Sequence, residues 1–333
     1  MRIYSFLRRF GIDYFILALL AMVELAYLFP AFGTNSAWYA PASLSGYGVA
    51  LIFFFYGVKL SPQQLRSGMS NFSLHIVVQL STFVLFPLLA LLLKPALAAY
   101  DIALWQGVFF LAAIPSTVSS SVVMVGMARG NVPAAIFNAS ISSLIGLVMT
   151  PLLIGFGMTL SGNAGGMSDM SSILFKLLWQ VILPVFAGTL LHRYLGKFAL
   201  QYQQWLKYFD QMIILTIIYT SFSSSFEAGI FAHTSWTYLL LLGLGMLVLL
   251  GIVYQIIAFI CRKLAFNRED SITAIFCGSK KSLVHGTVFS KVLFPASATV
   301  GMLLLPLMLF HAIQLIVISM VAQQMARDIS QEN

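Results

Sequence analysis

The sequence predicts an all-α integral membrane protein: ten transmembrane helices forming two inverted five-helix repeats, with the fourth and ninth helices broken. Three observations lead there. Of 333 residues, 60% are hydrophobic and only 8% are charged, whereas an ordinary soluble domain carries about 25% charged residues. Ten apolar runs of roughly spanning length follow one another with short connections. Two of those runs are interrupted at corresponding places by small polar residues. A water-soluble fold of this size would expose more apolar surface than it could keep from aggregating, so a soluble enzyme is excluded.

The runs cover 12–30, 44–60, 72–94, 105–127 and 131–160 in the first half. In the second half they cover 172–192, 206–226, 235–261, 271–293 and 297–322. The longest polar stretches, near 61–71, 161–171 and 193–205, are too short to house a soluble domain. Arg2, Arg8 and Arg9 precede the first run as they would in a signal peptide. That run is longer than an h-region, however, and no small-x-small cleavage site follows, so a retained first helix is expected. Cys261 and Cys277 fall in or beside apolar runs and read as small core residues. No disulfide framework or zinc motif is present.

Charge sets the orientation. With the N-terminus in the cytoplasm, basic residues from Arg2 to Arg327 gather in the cytoplasmic segments, and only Lys94, Lys176 and Lys291 lie opposite. This predicts a protein of the plasma (inner) membrane with both termini cytoplasmic. The basic residues are scattered and form no patch, so the pI of about 9.5 does not point to nucleic acid.

The stretch Ser161-Gly-Asn-Ala-Gly-Gly-Met-Ser168 separates five runs from five. The expected organisation is a first repeat at 1–160, a linker at 161–171 and a second repeat at 172–333. An odd number of spans per repeat inserts similar halves with opposite topology, which characterises secondary transporters. The fourth run contains Pro115-Ser-Thr-Val-Ser-Ser-Ser121 and the ninth contains Gly278-Ser-Lys-Lys-Ser282. Each precedes a proline, Pro133 or Pro295, near the start of the next run. Such breaks free backbone groups at mid-membrane, which is tolerated only against protein or a water-filled cavity. The new half-helix N-termini favour anions.

The candidate substrate and ion site therefore comprises Ser116, Thr117, Ser119, Ser120 and Ser121 with Gly278, Ser279, Lys280, Lys281 and Ser282. Asn138 and Ser142, four apart on the fifth run, share a face and could complete it. Glu24 is the acidic residue deep in the first run; it could pair with a crossover lysine, line a cavity, or hydrogen-bond to its neighbours. His285 could relay protons or sit as a satisfied core histidine. His311 and Gln314, three apart on the tenth run, read as interhelical hydrogen-bonding residues. No nucleotide-binding loop exists, so ATP is not the energy source and no cofactor is expected. No His-Glu-x-x-His and no paired intramembrane aspartates exist, so an intramembrane enzyme is not expected.

Several stretches resemble the bile acid:sodium symporter superfamily, in its sodium/bile acid cotransporter 7-like branch. They are Phe276-Cys-Gly-Ser-Lys-Lys-Ser-Leu283, Lys291-Val-Leu-Phe-Pro295, Leu304-Leu-Pro-Leu-Met-Leu-Phe-His-Ala-Ile-Gln-Leu315 and Met127-Ala-Arg-Gly-Asn-Val132. The resemblance implies a panel of spans 1, 2, 6 and 7 facing a core of spans 3, 4, 5, 8, 9 and 10. Spans 4 and 9 would cross near the midplane, with substrate between panel and core.

Where sodium-coupled relatives place a glutamate and, four residues on, a glutamine, this chain carries Phe276 and Lys280. Their Ser-Asn pair corresponds to Ser121 and Val122, and their fifth-span Ser and Thr to Ala135 and Ala139. The lost oxygen ligands argue against coupling to two sodium ions. A charged residue at mid-membrane costs at least about 2.5–3.5 kcal/mol, so two adjacent lysines ask for a use. An ammonium could occupy the vacated ion position, with Lys280 at the glutamine's place. It could also bind an anionic substrate, titrate to couple protons, or brace the unwound backbone. The expected function is secondary transport of a small or amphipathic organic anion through the bilayer, with sodium or a proton as the possible coupling ion. A channel or a non-transporting regulator on the same scaffold is the alternative.

Overall fold

The computed structural model of the protein describes residues 14–34, 41–59, 71–161, 178–232, 235–294, 297 and 299–331. Side chains at 41–46, 119, 178 and 328–331 fall outside that description. So do most of the expected linker, Pro295, Lys176, Arg66 and the N-terminal arginines. Among the described residues every regular element is helical.

The first run folds as α1 (Tyr14–Leu28) with a short α2 (Pro30–Thr34) behind it, and the second as α3 (Pro41–Lys59). The third is α4 (Phe72–Leu80), a π-helical turn (Ser81–Leu85) and α5 (Phe86–Leu92) in one piece. A short α6 (Lys94–Tyr100) leads to the fourth run, which divides into α7 (Ile102–Ala113) and α8 (Ser119–Met127). The fifth is α9 (Val132–Leu160). The described part of the sixth is a second π-helical turn (Leu178–Ile182) and α10 (Leu183–Leu190). Then come α11 (His192–Gln201), α12 (Gln203–Glu227) and α13 (Trp236–Lys263). The ninth run divides into α14 (Arg268–Gly278) and α15 (Leu283–Leu293), and α16 (Val300–Gln331) is the last.

Four helices are individually long and apolar enough to cross a bilayer: Phe72–Leu92, α9, α13 and Val300–Arg327. Tyr14–Leu28, Tyr47–Lys59, Ile102–Ala113 and Trp179–Leu190 are shorter apolar helices. Large apolar side chains such as Leu20, Leu92, Trp236 and Leu240 stand exposed on their outer faces. On a water-soluble surface such patches would cause association. In a bilayer they meet lipid, and the protein is an all-α integral membrane protein.

Packing sorts the helices into two groups. In one, α12 lies against α1, α2 and α3, while α10 and α11 lie against α3. In the other, α4, α5, α7, α8, α9, α13, α14, α15 and α16 pack on one another. The groups meet where α12 lies along α15 and α16 and where α3 touches α15. Among the described residues, two polar bonds that cross that seam stand out. Tyr56 on α3 donates to the Ser140 carbonyl on α9 (3.0 Å), and the Gly301 amide on α16 donates to Ser225 Oγ on α12 (3.1 Å).

One charged residue ties three helix starts together in the larger group. Asn71, Asn131 and Asn267 each cap the N-terminus of a helix, α4, α9 and α14 respectively. Their side-chain amides also donate to the buried carboxylate of Asp270, at 2.7, 2.9 and 3.1 Å. This knot fixes the start of the broken ninth run beside its two neighbours.

In the smaller group, α3 and α10 touch backbone to backbone. A Cβ on Gly57 would collide with the Val185 carbonyl, and one on Gly188 with the Phe54 carbonyl. Neither obstacle can rotate away. Gly57→Ala and Gly188→Ala are each expected to cost about 1–3 kcal/mol through overpacking, seen as a lowered unfolding midpoint in detergent. Gly243→Ala is the control, since its Cβ would meet open space; equal midpoints for all three variants would refute this close crossing.

Candidate functional site

The break in the fourth run begins at Ile114, where the chain leaves the helix in an extended conformation ahead of Pro115. Proline disfavours the helical conformation for the residue before it and has no N–H of its own. The break in the ninth run spans Ser279 to Ser282, and Ser282 caps α15 by accepting from the His285 amide. The two breaks lie against each other: the Ser282 amide donates to the Pro115 carbonyl at 2.9 Å. Gly146 on α9 lets this segment approach, because a Cβ there would strike the Pro115 ring.

A helix end leaves carbonyls without in-helix donors, and within a bilayer each needs a partner from elsewhere in the protein. Here they find partners across the crossover. Thr150 Oγ1 donates to the Ala113 carbonyl (2.8 Å). Ser116 Oγ donates to Cys277 O (2.5 Å) and Ser121 Oγ to Phe276 O (3.4 Å), while within the ninth run Ser279 Oγ joins its own amide in donating to Ile275 O (2.6 Å). Ser142 Oγ accepts from the Ser116 amide (3.1 Å). Thr117, Ser120 and Ser121 bond to one another through their hydroxyls.

Lys281 takes the largest share. Its side chain is fully buried, and Nζ donates to the carbonyls of Thr82, Ala112 and Ile114 at 2.7, 2.7 and 2.8 Å. The ammonium also lies over the Phe86 ring, 4.2 Å from its centroid. Three donors meet three acceptors, which is the full capacity of an ammonium. Two of those carbonyls come from the broken end of α7. The third, Thr82, comes from the π-helical turn of the third run. There the Phe86 amide donates five residues back, to Ser81 O. The next donor in that register would be residue 87, a proline without an N–H, so the Thr82 carbonyl is left for Lys281.

The Lys281 peptide group is clamped as well. Gln314 Oε1 accepts from its N–H (2.8 Å), and Gln314 Nε2 donates to its carbonyl (2.7 Å). Nε2 also contacts His311 Nδ1 at 2.9 Å. Lys280, equally buried, points the other way, towards α8. Its ammonium donates to the Ser120 carbonyl (3.1 Å) and contacts Met124 Sδ (2.8 Å).

The sequence candidates thus gather at one point with stated exceptions. Ser116, Thr117, Ser120, Ser121, Ser142, Gly278, Ser279, Lys280, Lys281 and Ser282 form the crossover. The Ser119 side chain lies outside the described residues. Asn138 is buried one layer away and accepts from Gln79 Nε2 on α4 (3.3 Å). His285 bonds Ser282 Oγ through Nδ1 (2.9 Å) and meets the Tyr56 ring edge to face at the seam. Glu24 is exposed on α1, and neither lysine turns to it. Thr82, Phe86, Met124 and Thr150 join the site unannounced, because three of the four contribute a backbone oxygen, a ring face or a sulfur. Pro87 was the legible signal for Thr82.

The model of the SBF-like CPA transporter family matches residues 13–327. An uncharacterized protein of Pseudomonas aeruginosa is 42% identical over 96% of this chain and 94% of its own length. The Escherichia coli protein YfeH is 39% identical over 96% of this chain and 95% of its own length. The rat sodium/bile acid cotransporter 7 is 27% identical over 93% of this chain and 91% of its own length.

Lys281→Met would leave three buried carbonyls without donors, at about 1–3 kcal/mol each before relaxation. It should lower the unfolding midpoint more than Gln314→Leu does. Pro87→Ala restores an amide that Thr82 O can accept, so it should recover part of the Lys281→Met loss while doing little alone. A double-mutant cycle on thermal unfolding reads this directly; strictly additive effects would contradict the proline account.

Proposed function

The chain belongs to the SBF-like CPA transporter family, and from that premise we propose that it is a secondary transporter of a small or amphipathic organic anion. Ten spans with both termini in the cytoplasm of the inner-membrane cell face form repeats at 1–160 and 172–333, joined by the linker at 161–171. The α12-centred group of helices is the panel and the larger group the core, and substrate crosses along the seam between them.

The observation that carries the mechanism is the Lys281 ammonium in its cage of three carbonyls. A bound sodium ion would be held by the same kind of oxygens. An ammonium tethered to the chain supplies the charge permanently, so the crossover is assembled with no ion bound. Lys280 holds a second, less enclosed position beside α8, with one carbonyl and one sulfur as its partners. The start of α8 has no side-chain cap. Its partial positive charge and the Lys280 ammonium together favour an anionic group arriving from the seam. The seam itself is lightly latched, by Tyr56 to Ser140 and Ser225 to Gly301. Sliding of panel on core then breaks few bonds, as alternating access requires. The likeness to the rat sodium/bile acid cotransporter 7 supports an amphipathic anion as cargo.

The test is uptake into proteoliposomes with taurocholate as the amphipathic anion probe, in sodium against choline at matched ionic strength. Saturable uptake that is equal in both salts is expected, and Lys280→Gln should reduce it at least about tenfold. Thermal stability should likewise ignore sodium, although a ligand at about 100 times its dissociation constant adds roughly 2.7 kcal/mol. Sodium-dependent uptake or stabilisation would overturn the substitution of lysine for the ion. Non-saturable flux would indicate a channel, and the absence of flux for a panel of organic anions a scaffold that does not cycle.

A further inference from the structure

Away from the seam, α13 stands off from α5, α6 and the start of α7 and leaves a cavity of about 440 Å³. That volume lies within the range of sites that hold small molecules, about 300–1,000 Å³. Its walls are almost wholly apolar, with Leu89, Leu104, Val108, Met246 and Leu249 typical of them. Leu92, Tyr100 and Leu241 on its rim are exposed, so it opens sideways from the outer face of the larger helix group. No residue of α1, α3, α10 or α12 lines it, which separates it from the path proposed for the anion.

Two further observations point to an occupant. The Tyr238 hydroxyl, at one end of the cavity, is buried and has no hydrogen-bond partner among the described residues. Leaving a buried hydroxyl unpaired is costly, and such a group marks a place where a partner is expected. Gly245 of α13 lines the cavity, and a Cβ there would meet nothing within 4 Å. The long apolar trough calls for a hydrocarbon chain and the lone hydroxyl for one neutral acceptor at its end. Tyr100 stacks on Tyr238, with ring centroids 6.4 Å apart. Paired tyrosines suit the interfacial depth, where a chain meets its polar head. The Asp101 carboxylate, which caps α7, is close enough to act electrostatically on Tyr238. A second carboxylate would be repelled there, and a neutral ester would not.

We propose that this cavity is a binding site for one acyl chain of a membrane phospholipid, whose ester carbonyl accepts the Tyr238 hydroxyl hydrogen bond. The lipid fills the gap between α13 and α5 and so braces the outer side of the helices that carry the Thr82 carbonyl. The site is independent of what the crossover transports.

Native mass spectrometry of the full chain, delipidated in detergent and titrated with palmitoyl-oleoyl phosphatidylcholine or with oleate, tests it. One phospholipid per chain is expected to bind in preference to oleate. Gly245→Phe, which fills the trough, should weaken phospholipid binding at least about tenfold, and Tyr238→Phe by about fivefold, the worth of one hydrogen bond. Neither variant should lower the lipid-free unfolding midpoint of the parent, which excludes misfolding as the cause. Leu241→Trp, on the rim, gives a second obstruction should Gly245→Phe fail to fold. Undiminished binding in a folded trough variant, or a preference for oleate, would overturn the proposal.

Discussion

The arrangement depends on one constraint: a helix broken inside a bilayer must find donors for the carbonyls it frees, because no water is there to supply them. The chain breaks two helices side by side and has them satisfy each other. Serine hydroxyls from the fourth run reach carbonyls of the ninth, and Lys281 of the ninth reaches carbonyls of the fourth. The same ammonium reaches the carbonyl stranded by Pro87 in the third run. One side chain therefore joins three helices, and Gln314 joins a fourth through the Lys281 peptide group. Buried charge is costly in general, yet here the cation is the most efficient donor available, since one nitrogen serves three acceptors.

The two helix groups are built by different physics. The smaller one relies on close backbone approach at Gly57 and Gly188 and on aromatic contacts such as Phe55 with Phe209. In lipid, where hydrophobic burial between helices gains little, such close packing is the main source of association. The larger group adds a polar interior, from the Asp270 knot at one end of α14 to the crossover at the other. Among the described residues, the strong polar bonds fall mainly inside that group. The crossover lies near the boundary between the two groups through His285 and Tyr56.

Much of this was legible in the sequence. The apolar runs gave the helices, and Pro115 and Gly278 marked the two breaks because proline and glycine interrupt helices by rules that hold in any fold. Two lysines inside an apolar run announced a buried polar centre. Gln314 and His311 were read as interhelical hydrogen-bonding residues, and Gln314 does bond across to Lys281. The division of work between Lys280 and Lys281 was not legible. Adjacent residues in an unwound segment point in unrelated directions, and the acceptors of Lys281 are backbone carbonyls, which no residue letter records. The resemblance directed attention to Lys280 by position, whereas the cage of three carbonyls surrounds its neighbour. Glu24 was a candidate on charge alone, and its place on the exposed side of α1 depends on a helix rotation that the nearly uniform apolarity of that run leaves unspecified. Asn71, Asn131 and Asn267 each stand one residue before a helix and are readable as caps. Their convergence on Asp270 is a tertiary fact.

Under the transport reading proposed above, replacing a bound ion by a tethered ammonium would change what the crossover can do. An ion leaves and returns, so a site that needs one is assembled only in the loaded state, and transport becomes coupled to the ion gradient. In that reading a lysine bonded to three carbonyls would stay in place through the cycle, and the geometry it maintains would not depend on bound cargo. The thermodynamic drive would then come, in that proposal, from the cargo's own gradient or from a group less fully satisfied than Lys281. Lys280 is such a group, with a carbonyl and a thioether as partners in place of three carbonyls. In that proposed reading, structure and exchange would fall to neighbouring residues: Lys281 holds the broken helices together, and Lys280 would meet the passing charge.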